Sequence, residues 1–289
     1  MSIPELQPQP RLHGVSIFLS ASVPTRERQD EYDRIPEAPL QIEEAVVCIA
    51  RAVFMEGGTL VFGAHPSISP LVARVVDHYY LPAPAEEVQQ HAERRDRETG
   101  WQNPSVVIYQ SSVWQPHWAE ATEQLARHPL VSLKWTTAVP GETVDLSVKD
   151  RSQAPLSMKR MREEMIDETS PVAMVAIGGM KGVLNEADIF MKRWPRAPIF
   201  ALATTGGAAR ILSTRQEYQG HVRVMDLEAE ALVRKFWEEQ EERSERPAAR
   251  QDIRWEPSGE PRRKLYVPYA FVAQQIVAQI VEQSERHSQ

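Results

Sequence analysis

The residues of this chain that are best suited to ligand binding or catalysis lie in four short polar turns. Each turn follows an apolar run. The turns lie at residues 20–22, 63–69, 178–186 and 204–210. Where such a turn leads into a helix, the N–H groups of the first helical turn and the positive end of the helix dipole attract anions. Several turns of this kind on one sheet favour a ligand with more than one polar part, such as a nucleotide.

Glycine usage supports this interpretation, because the chain has only 13 glycines among 289 residues and concentrates them in short clusters. Glycine lets a phosphate approach the backbone, since it has no Cβ. Simpler alternatives stay open: Ser67 can cap a helix, and Lys181 can be an ordinary solvated lysine. The candidate ligand-binding residues in the turns are Ser20, Ser22, Gly63, His65, Ser67, Gly178, Gly179, Lys181, Gly182, Thr204, Thr205, Gly206 and Arg210.

The elements that must position these turns alternate between apolar strands and amphipathic helices. Strands are predicted at 13–20, 59–62, 105–109, 130–135, 172–177 and 198–203, with a further edge strand at 221–225. Helices are predicted at 40–55, 67–80, 116–127, 156–168, 182–194, 208–214, 226–246 and 266–282, with a surface excursion at 81–103. This alternation predicts a Rossmann-like, doubly wound α/β fold with a mainly parallel sheet and helices on both faces. Ligands of such sheets bind at the carboxyl ends of the strands.

No composition shift or internal repeat demands a domain boundary, so we expect one domain over residues 1–289. Its core covers about 13–225, and a C-terminal helical extension covers about 226–289. The segment 248–264 reads as a loop between two helices. The last helix has a wide apolar face, which must dock on its own domain or on another subunit.

Charge and composition narrow the classes of partner. The chain carries 33 Lys+Arg and 40 Asp+Glu, a net charge of −7, which argues against nucleic acid as a partner. We see no bilayer-spanning apolar run and no signal-peptide pattern, so we expect a cytoplasmic protein without a membrane partner. A single cysteine, Cys48, excludes an internal disulfide framework, and no His/Asp/Glu spacing predicts a metal site.

Two segments resemble the core of the Lonely Guy (LOG) phosphoribohydrolases. They are the helix MKRMREEM at 158–165 and, after an apolar strand, the turn GGMKGVLNE at 178–186. LVFGAHP at 60–66 resembles the earlier phosphate turn of that family, and IFLSAS at 17–22 its first strand. The similarity covers roughly residues 14–215 and fits the broader SLOG superfamily better, which includes the DNA-processing protein DprA, TRPM-channel sensor regions and bacterial defence proteins.

The resemblance implies a catalytic pair that acts on an N-glycosidic bond. Glu186 occupies the position of the family glutamate, and either Arg160 or Arg162 matches the family arginine. Three departures from the family motif count against catalysis more than against ligand binding. Ile177 stands where the family has proline, an extra residue lies between Gly179 and Gly182, and Val183 replaces the family threonine.

We therefore expect a protein that binds a nucleotide or an NAD-derived, ADP-ribose-like signal, with a role in bacterial stress or antiviral signalling. The alternative is a LOG-like N-glycoside hydrolase, a nucleotide phosphoribohydrolase or NAD-cleaving enzyme, that uses Glu186 with Arg160 or Arg162. Neither hypothesis requires a cofactor. The resemblance also implies a homo-oligomer and leaves room for a separately encoded effector.

Overall fold

Seven parallel strands form one sheet in the computed structural model of the chain, which describes residues 11–24, 38–79, 105–147, 153–243, 254–255, 261–262 and 267–288. The strands are β1 (Ser16–Ser22), β2 (Thr59–Gly63), β3 (Val106–Ser111), β4 (Val131–Thr136), β5 (Ala173–Gly178), β6 (Ile199–Leu202) and β7 (Val222–Arg223). Their order is β4-β3-β2-β1-β5-β6-β7, and all neighbouring pairs are parallel. The predicted Rossmann-like α/β fold is confirmed.

Helices cover both faces of this sheet. They are α1 (Ala38–Met55), α2 (Ser69–Tyr79), α3 (Glu120–Ala126), α4 (Pro155–Thr169), α5 (Lys181–Arg193), α6 (Gly207–Thr214), α7 (Asp226–Arg243) and α8 (Tyr269–Ser288). One apolar core joins the strands to α1, α2 and α8, and we call this side the α1 face. A second core joins them to α4, α5 and α6 on the opposite side, the α4 face.

Strand β1 shows how the sequence positions its polar end. Ile17 and Leu19 lie in the core of the α1 face, whereas Phe18 lies in the core of the α4 face. Because successive side chains of a strand point to opposite faces, Ser20 lies on the α4 face, on the same side as α4 and α5. Both polar residues of this strand end, Ser20 and Ser22, are buried.

The C-terminal helix α8 docks on its own chain. Val272, Ala273, Ile276, Val277 and Ile280 are buried in the same core as α1, with which α8 makes extensive contact. This arrangement settles the alternative left by the sequence, since the wide apolar face of α8 is covered by α1 and not by a second subunit.

Most predicted elements shift by a few residues at their ends, and two predicted segments differ more from the structure. The helix predicted at 116–127 begins only at Glu120, because residues 112–117 form a 3₁₀ turn that contains Pro116 and the backbone is extended at Trp118. The predicted loop at 248–264 contains a short antiparallel pair, β8 (Arg254–Trp255) with β9 (Pro261–Arg262). The predicted excursion at 81–103 lies outside the described residues.

Within the described residues, no helix combines the length and apolarity needed to cross a membrane. The same residues contain no group of three or more His, Cys, Asp or Glu side chains that is placed to hold a metal ion.

Three buried tyrosines make the fold sensitive to alkali. Tyr109 donates to Glu168 at 2.7 Å, and Tyr218 donates to Asp188 at 3.0 Å. Burial is the main cause that raises the pKa of all three tyrosines, and the pKa of Tyr218 rises to about 12. The hydrogen bonds to Glu168 and Asp188 raise the pKa of Tyr109 and Tyr218 further. A raised folded-state pKa gives stability that is present below the ordinary tyrosine pKa of about 10 and is lost as the pH rises through the folded-state value.

We therefore expect at least three of the seven tyrosines of the chain to ionise only as the protein unfolds. Absorbance at 295 nm and circular dichroism, followed together from pH 9 to 13, measure this. Ionisation of all seven tyrosines at about pH 10 with native circular dichroism would contradict it.

Candidate functional site

The topological switch point of the sheet lies between β1 and β5. From β1 the chain builds outward through β2, β3 and β4, and it then returns to the other side of β1 with β5. At the carboxyl edge Ser22 is paired with Gly178, and the Gly179 N–H donates to the Ser22 carbonyl oxygen at 2.8 Å. Two of the predicted turns therefore meet where an open α/β sheet binds its ligands.

Glu186 is the centre of a polar cluster beside this point. The Ser20 hydroxyl donates to Glu186 Oε2, and Arg162 Nε donates to Glu186 Oε1 at 3.1 Å. The side chains of Arg162 and Glu186 are only 15% and 14% exposed, and Ser20 is 1% exposed. Three elements, β1, α4 and α5, thus contribute one residue each to what we call the Glu186 cluster (Ser20, Arg162 and Glu186).

The structure distinguishes the two arginines that the sequence left as alternatives. Arg160 Nε donates to Glu164 Oε1 at 2.6 Å, one helical turn along α4, with side chains 48% and 31% exposed. Residues two apart on a helix point in opposite directions, because each residue turns the helix by about 100°. Arg162 therefore contacts Glu186, and Arg160 forms a surface pair on the other side of α4.

The Gly178–Gly179 turn requires glycine at both positions. Their φ angles of +56° and +82° are left-handed, where side chains are strained. A Cβ on Gly178 would lie 2.7 Å from Ile42 Cγ1, and a Cβ on Gly179 would lie 3.0 Å from Val183 Cβ. Val183 is thus a packing residue of this turn, which explains an apolar side chain at the position of the family threonine.

Arg162 reaches the beginning of helix α5. A Cβ on Gly182, in the first turn of α5, would lie 3.2 Å from Arg162 Nη2. The guanidinium therefore lies against the end of α5 that has the positive dipole and the first N–H groups. Lys181 begins the same helix and is exposed. This end of α5 combines one fixed and one exposed cation with backbone donors.

The turn between β6 and α6 contacts the Gly178–Gly179 turn and stabilises it. Thr205 Oγ1 accepts from the Gly178 N–H at 2.7 Å and donates to the Leu202 carbonyl oxygen at 2.5 Å. Gly207 packs directly on the Gly179 carbonyl, which also accepts from the Ala208 N–H at 3.0 Å. The Thr205 hydroxyl is thus used within the protein, and Gly206 (φ +70°) shapes the same turn.

Replacing Thr205 with valine tests this support. Valine keeps the shape of threonine but leaves the buried Gly178 N–H without its acceptor, so we expect a loss of about 1–3 kcal/mol in the free energy of unfolding. Thr205→Ser, which keeps the hydroxyl, is expected to lose about 1 kcal/mol for its missing methyl group. Urea unfolding measures both variants, and equal losses would contradict the role of the hydroxyl.

The predicted turn at 63–69, between β2 and α2, is hydrogen-bonded to the end of β1. The Val23 N–H donates to Ser67 Oγ at 3.2 Å, and Ser67 Oγ lies 2.8 Å from His65 Nδ1. The His65 carbonyl accepts from the N–H groups of Ile68 and Ser69 at the start of α2. A Cβ on Gly63 would lie 3.3 Å from Met161 Cε of α4, so this glycine permits close helix packing.

The predicted residues therefore fall into groups with different positions. Glu186, Arg162, Ser20, Ser22 and the glycines of the 178–182 turn come together at the switch point, and His65 and Ser67 lie on its β2 side. Thr205 and Gly206 belong to the β6–α6 turn that stabilises the Gly178–Gly179 turn, and Arg210 is exposed on α6. Thr204 is bound to Asp226 and Tyr269, two residues that sequence reasoning did not select.

Asp226 is the buried acid of this region. Its side chain is fully buried, and Oδ2 accepts from the Thr204 N–H at 2.7 Å. Burial raises the pKa of the Asp226 carboxyl, and the hydrogen bonds from Thr204 act in the opposite direction. The sequence did carry one signal for Asp226, since an aspartate at the start of a predicted helix commonly binds backbone N–H groups.

Comparison with known proteins gives a family and a distant structural similarity. The family model described as SLOG cluster3 matches residues 36–236. The chain is also similar to the crystal structure of the structural genomics target TM1055, with 15% identity and a TM-score of 0.38 over 73% of this chain and 90% of that one. No curated protein matches the chain. The family match covers more than half of the sequence, and the chain belongs to the SLOG cluster3 family.

Proposed function

We propose that the chain binds a nucleotide at the carboxyl edge of the sheet, with an NAD-derived, ADP-ribose-like signal as the ligand class. The observation that carries this proposal is the position of the Glu186 cluster, which lies beside the Gly178–Gly179 turn at the switch point. Membership of the SLOG cluster3 family is consistent with a nucleotide-related function.

A phosphate fits the first turn of α5 by its charge and its acceptor oxygens. Backbone N–H groups, the helix dipole and the Arg162 guanidinium all favour an anion there. Arg162 uses Nε on Glu186, and arginine has four further N–H donors. The absence of a side chain at Gly182 lets the Arg162 guanidinium lie against the backbone of this turn, so that side-chain and backbone donors are close together.

A ribose fits Glu186 next to that phosphate. Each carboxylate oxygen accepts one hydrogen bond from the protein, from Ser20 or from Arg162, and a carboxylate oxygen has room for a second donor. Ribose hydroxyls are such donors. Ser22, His65 and Ser67, which line the neighbouring strand ends, are proposed to contact the remaining part of the ligand.

The alternative function is N-glycoside hydrolysis, favoured by the direct contact between Arg162 and Glu186. A fixed carboxylate can stabilise the positive charge that develops on the ribose as its bond to the base breaks. Binding without cleavage remains our first proposal, because the threonine of the enzyme family is replaced by Val183, which packs on Gly179.

Isothermal titration with AMP, NAD, ADP-ribose and cyclic ADP-ribose isomers tests the binding proposal. We expect at least one of these nucleotides to bind the wild type, and Glu186→Gln to weaken it at least tenfold, because the neutral amide pairs poorly with Arg162 and ribose hydroxyls. Wild-type protein that binds none of them would remove the proposal.

Chromatography of the same nucleotides after incubation tests the alternative. Free base that forms with the wild type and not with Glu186→Ala would establish hydrolysis. Intact nucleotide after prolonged incubation, together with measurable binding, would establish binding without cleavage.

We also propose that residues 1–289 act as one domain in bacterial stress or antiviral signalling in the cytoplasm, as a homo-oligomer that acts on a separately encoded effector. The docking of α8 on α1 supports one structural unit. Because this docking covers the apolar face of α8, the oligomer is now supported by the family resemblance only. Sedimentation velocity with and without ADP-ribose measures the oligomeric state.

A further inference from the structure

The C-terminal helix α8 lies outside the segment that matches the family model. The match ends at residue 236, whereas α8 begins at Tyr269. The helix nevertheless packs on α1, and its first residue is 2% exposed. This helix thus inserts a tyrosine next to the turn that follows β6.

Tyr269 completes a chain of hydrogen bonds with Thr204 and Asp226. Thr204 Oγ1 donates to Asp226 Oδ2 at 2.6 Å and lies 2.8 Å from the Tyr269 hydroxyl. Threonine has one hydroxyl proton, and Asp226 accepts it. The Tyr269 hydroxyl is therefore the donor to Thr204. The first residues of α7 and α8 together fix one side chain of the β6–α6 turn.

This turn is the support of the proposed ligand-binding turn. Thr205, next to Thr204, accepts from the Gly178 N–H, and Gly207 packs on the Gly179 carbonyl. A shift of Thr204 therefore moves the atoms on which Gly178 and Gly179 rest. No alternative anchor for the Thr204 side chain is seen among the hydrogen bonds of the described residues.

We infer that Tyr269 and Asp226 are positioning residues of the nucleotide site, so that the C-terminal helix α8 is required for full ligand affinity. The inference rests on the proposed function for its ligand, but the contacts that it uses lie entirely within the protein. It assigns to α8 a role in the site that neither the family match nor the sequence motifs indicate.

Four single variants separate this role from general stabilisation. Tyr269→Phe and Thr204→Val each remove one hydroxyl from the hydrogen bonds that join Tyr269, Thr204 and Asp226. Thr204→Ser keeps the hydroxyl of residue 204. Tyr218→Phe is the matched control, because Tyr218 is a similarly buried tyrosine that donates to a carboxylate, Asp188, on α5.

Hydrogen exchange of the ligand-free protein, read over residues 178–182 and 203–210, tests the positioning directly. We expect exchange about fivefold faster in Tyr269→Phe, the equivalent of one lost hydrogen bond of about 1 kcal/mol. Exchange should be faster still in Thr204→Val, which loses two hydrogen bonds, and should equal that of the wild type in Thr204→Ser and Tyr218→Phe. Titration with ADP-ribose is expected to show a dissociation constant raised at least about fivefold in Tyr269→Phe and Thr204→Val only.

The two measurements distinguish a failure of this inference from a failure of the proposed function. Unchanged exchange over 203–210 in Tyr269→Phe overturns the inference, whether or not a nucleotide binds. A wild type that binds no nucleotide removes the proposed function, while faster exchange in Tyr269→Phe still establishes that α8 positions these turns. Equal acceleration in Tyr218→Phe would show general destabilisation and would also overturn the inference.

Discussion

Gly207→Ala is expected to lower the free energy of unfolding by about 2–5 kcal/mol. Gly207 has a φ of +58°, a left-handed angle that costs an alanine about 1–2 kcal/mol. Its new Cβ would also collide with the Gly179 carbonyl oxygen, a backbone atom that cannot rotate away, and overpacking of this kind costs a further 1–3 kcal/mol or so. Since the displaced carbonyl belongs to the proposed phosphate turn, nucleotide binding should weaken as well.

Gly220→Ala is the matched control for this variant. Gly220 also has a positive φ, +87°, but a Cβ there would meet no atom within 4 Å. We therefore expect only the cost of the backbone angle, about 1–2 kcal/mol, and unchanged nucleotide binding. Urea unfolding of both variants measures the difference. If Gly207→Ala unfolds as Gly220→Ala does, the close packing of the two glycine turns is wrong.

Arg162→Ala is expected to have the largest effect on the site. It removes the cation beside Gly182, so we expect nucleotide affinity to fall by about 10–100-fold, the value of one charge-assisted hydrogen bond of roughly 1.5–3 kcal/mol. It also leaves Glu186 mostly buried with Ser20 as its remaining donor. We expect a loss of about 1–3 kcal/mol in stability, less than for a fully buried pair.

Arg160→Ala provides the comparison on the same helix. The Arg160–Glu164 pair lies one helical turn apart at the surface, where such pairs contribute at most about 0.5 kcal/mol. Stability and nucleotide affinity should therefore remain close to wild type. Titration and thermal unfolding of the two alanine variants give the result, and equal losses of affinity would contradict the assignment of Arg162 to the site.

Apolar runs made most of the fold predictable. The run at 172–177 could only be a buried strand, and parallel pairing follows from the helix that separates each strand from the next. The carboxyl ends of parallel strands lie at one edge, so the sequence also predicted that the turns after β1, β2, β5 and β6 share an edge. Strand order was not predictable, because it depends on how the helices pack over the two faces.

The roles of single residues in the turns were less accessible to sequence reasoning. Thr205 and Gly206 were selected as ligand residues because they follow a strand, yet the Thr205 hydroxyl is bonded to the backbone of the neighbouring turn. The choice between Arg160 and Arg162 depended on the rotation of α4 about its axis. That rotation is fixed by tertiary packing, in which Met161 and Met165 are buried.

Tyr269 could not have been found from the sequence. It lies 65 residues from Thr204, and it follows a segment without a strong pattern. Apolar spacing predicted the helix and its buried face, but a partner for its first hydroxyl depends on where the helix docks. Long-range polar contacts of this kind carry no local signal.

A crystal structure of the chain with ADP-ribose or AMP tests the central claim most directly, because that claim is the position of the nucleotide beside the Glu186 cluster. We predict density for a phosphate against the first turn of α5, in contact with Arg162, and a ribose hydroxyl within 3.2 Å of Glu186. Nucleotide bound away from the carboxyl ends of β1 and β5, with the Ser20–Glu186–Arg162 contacts unchanged and no ligand beside them, would contradict it.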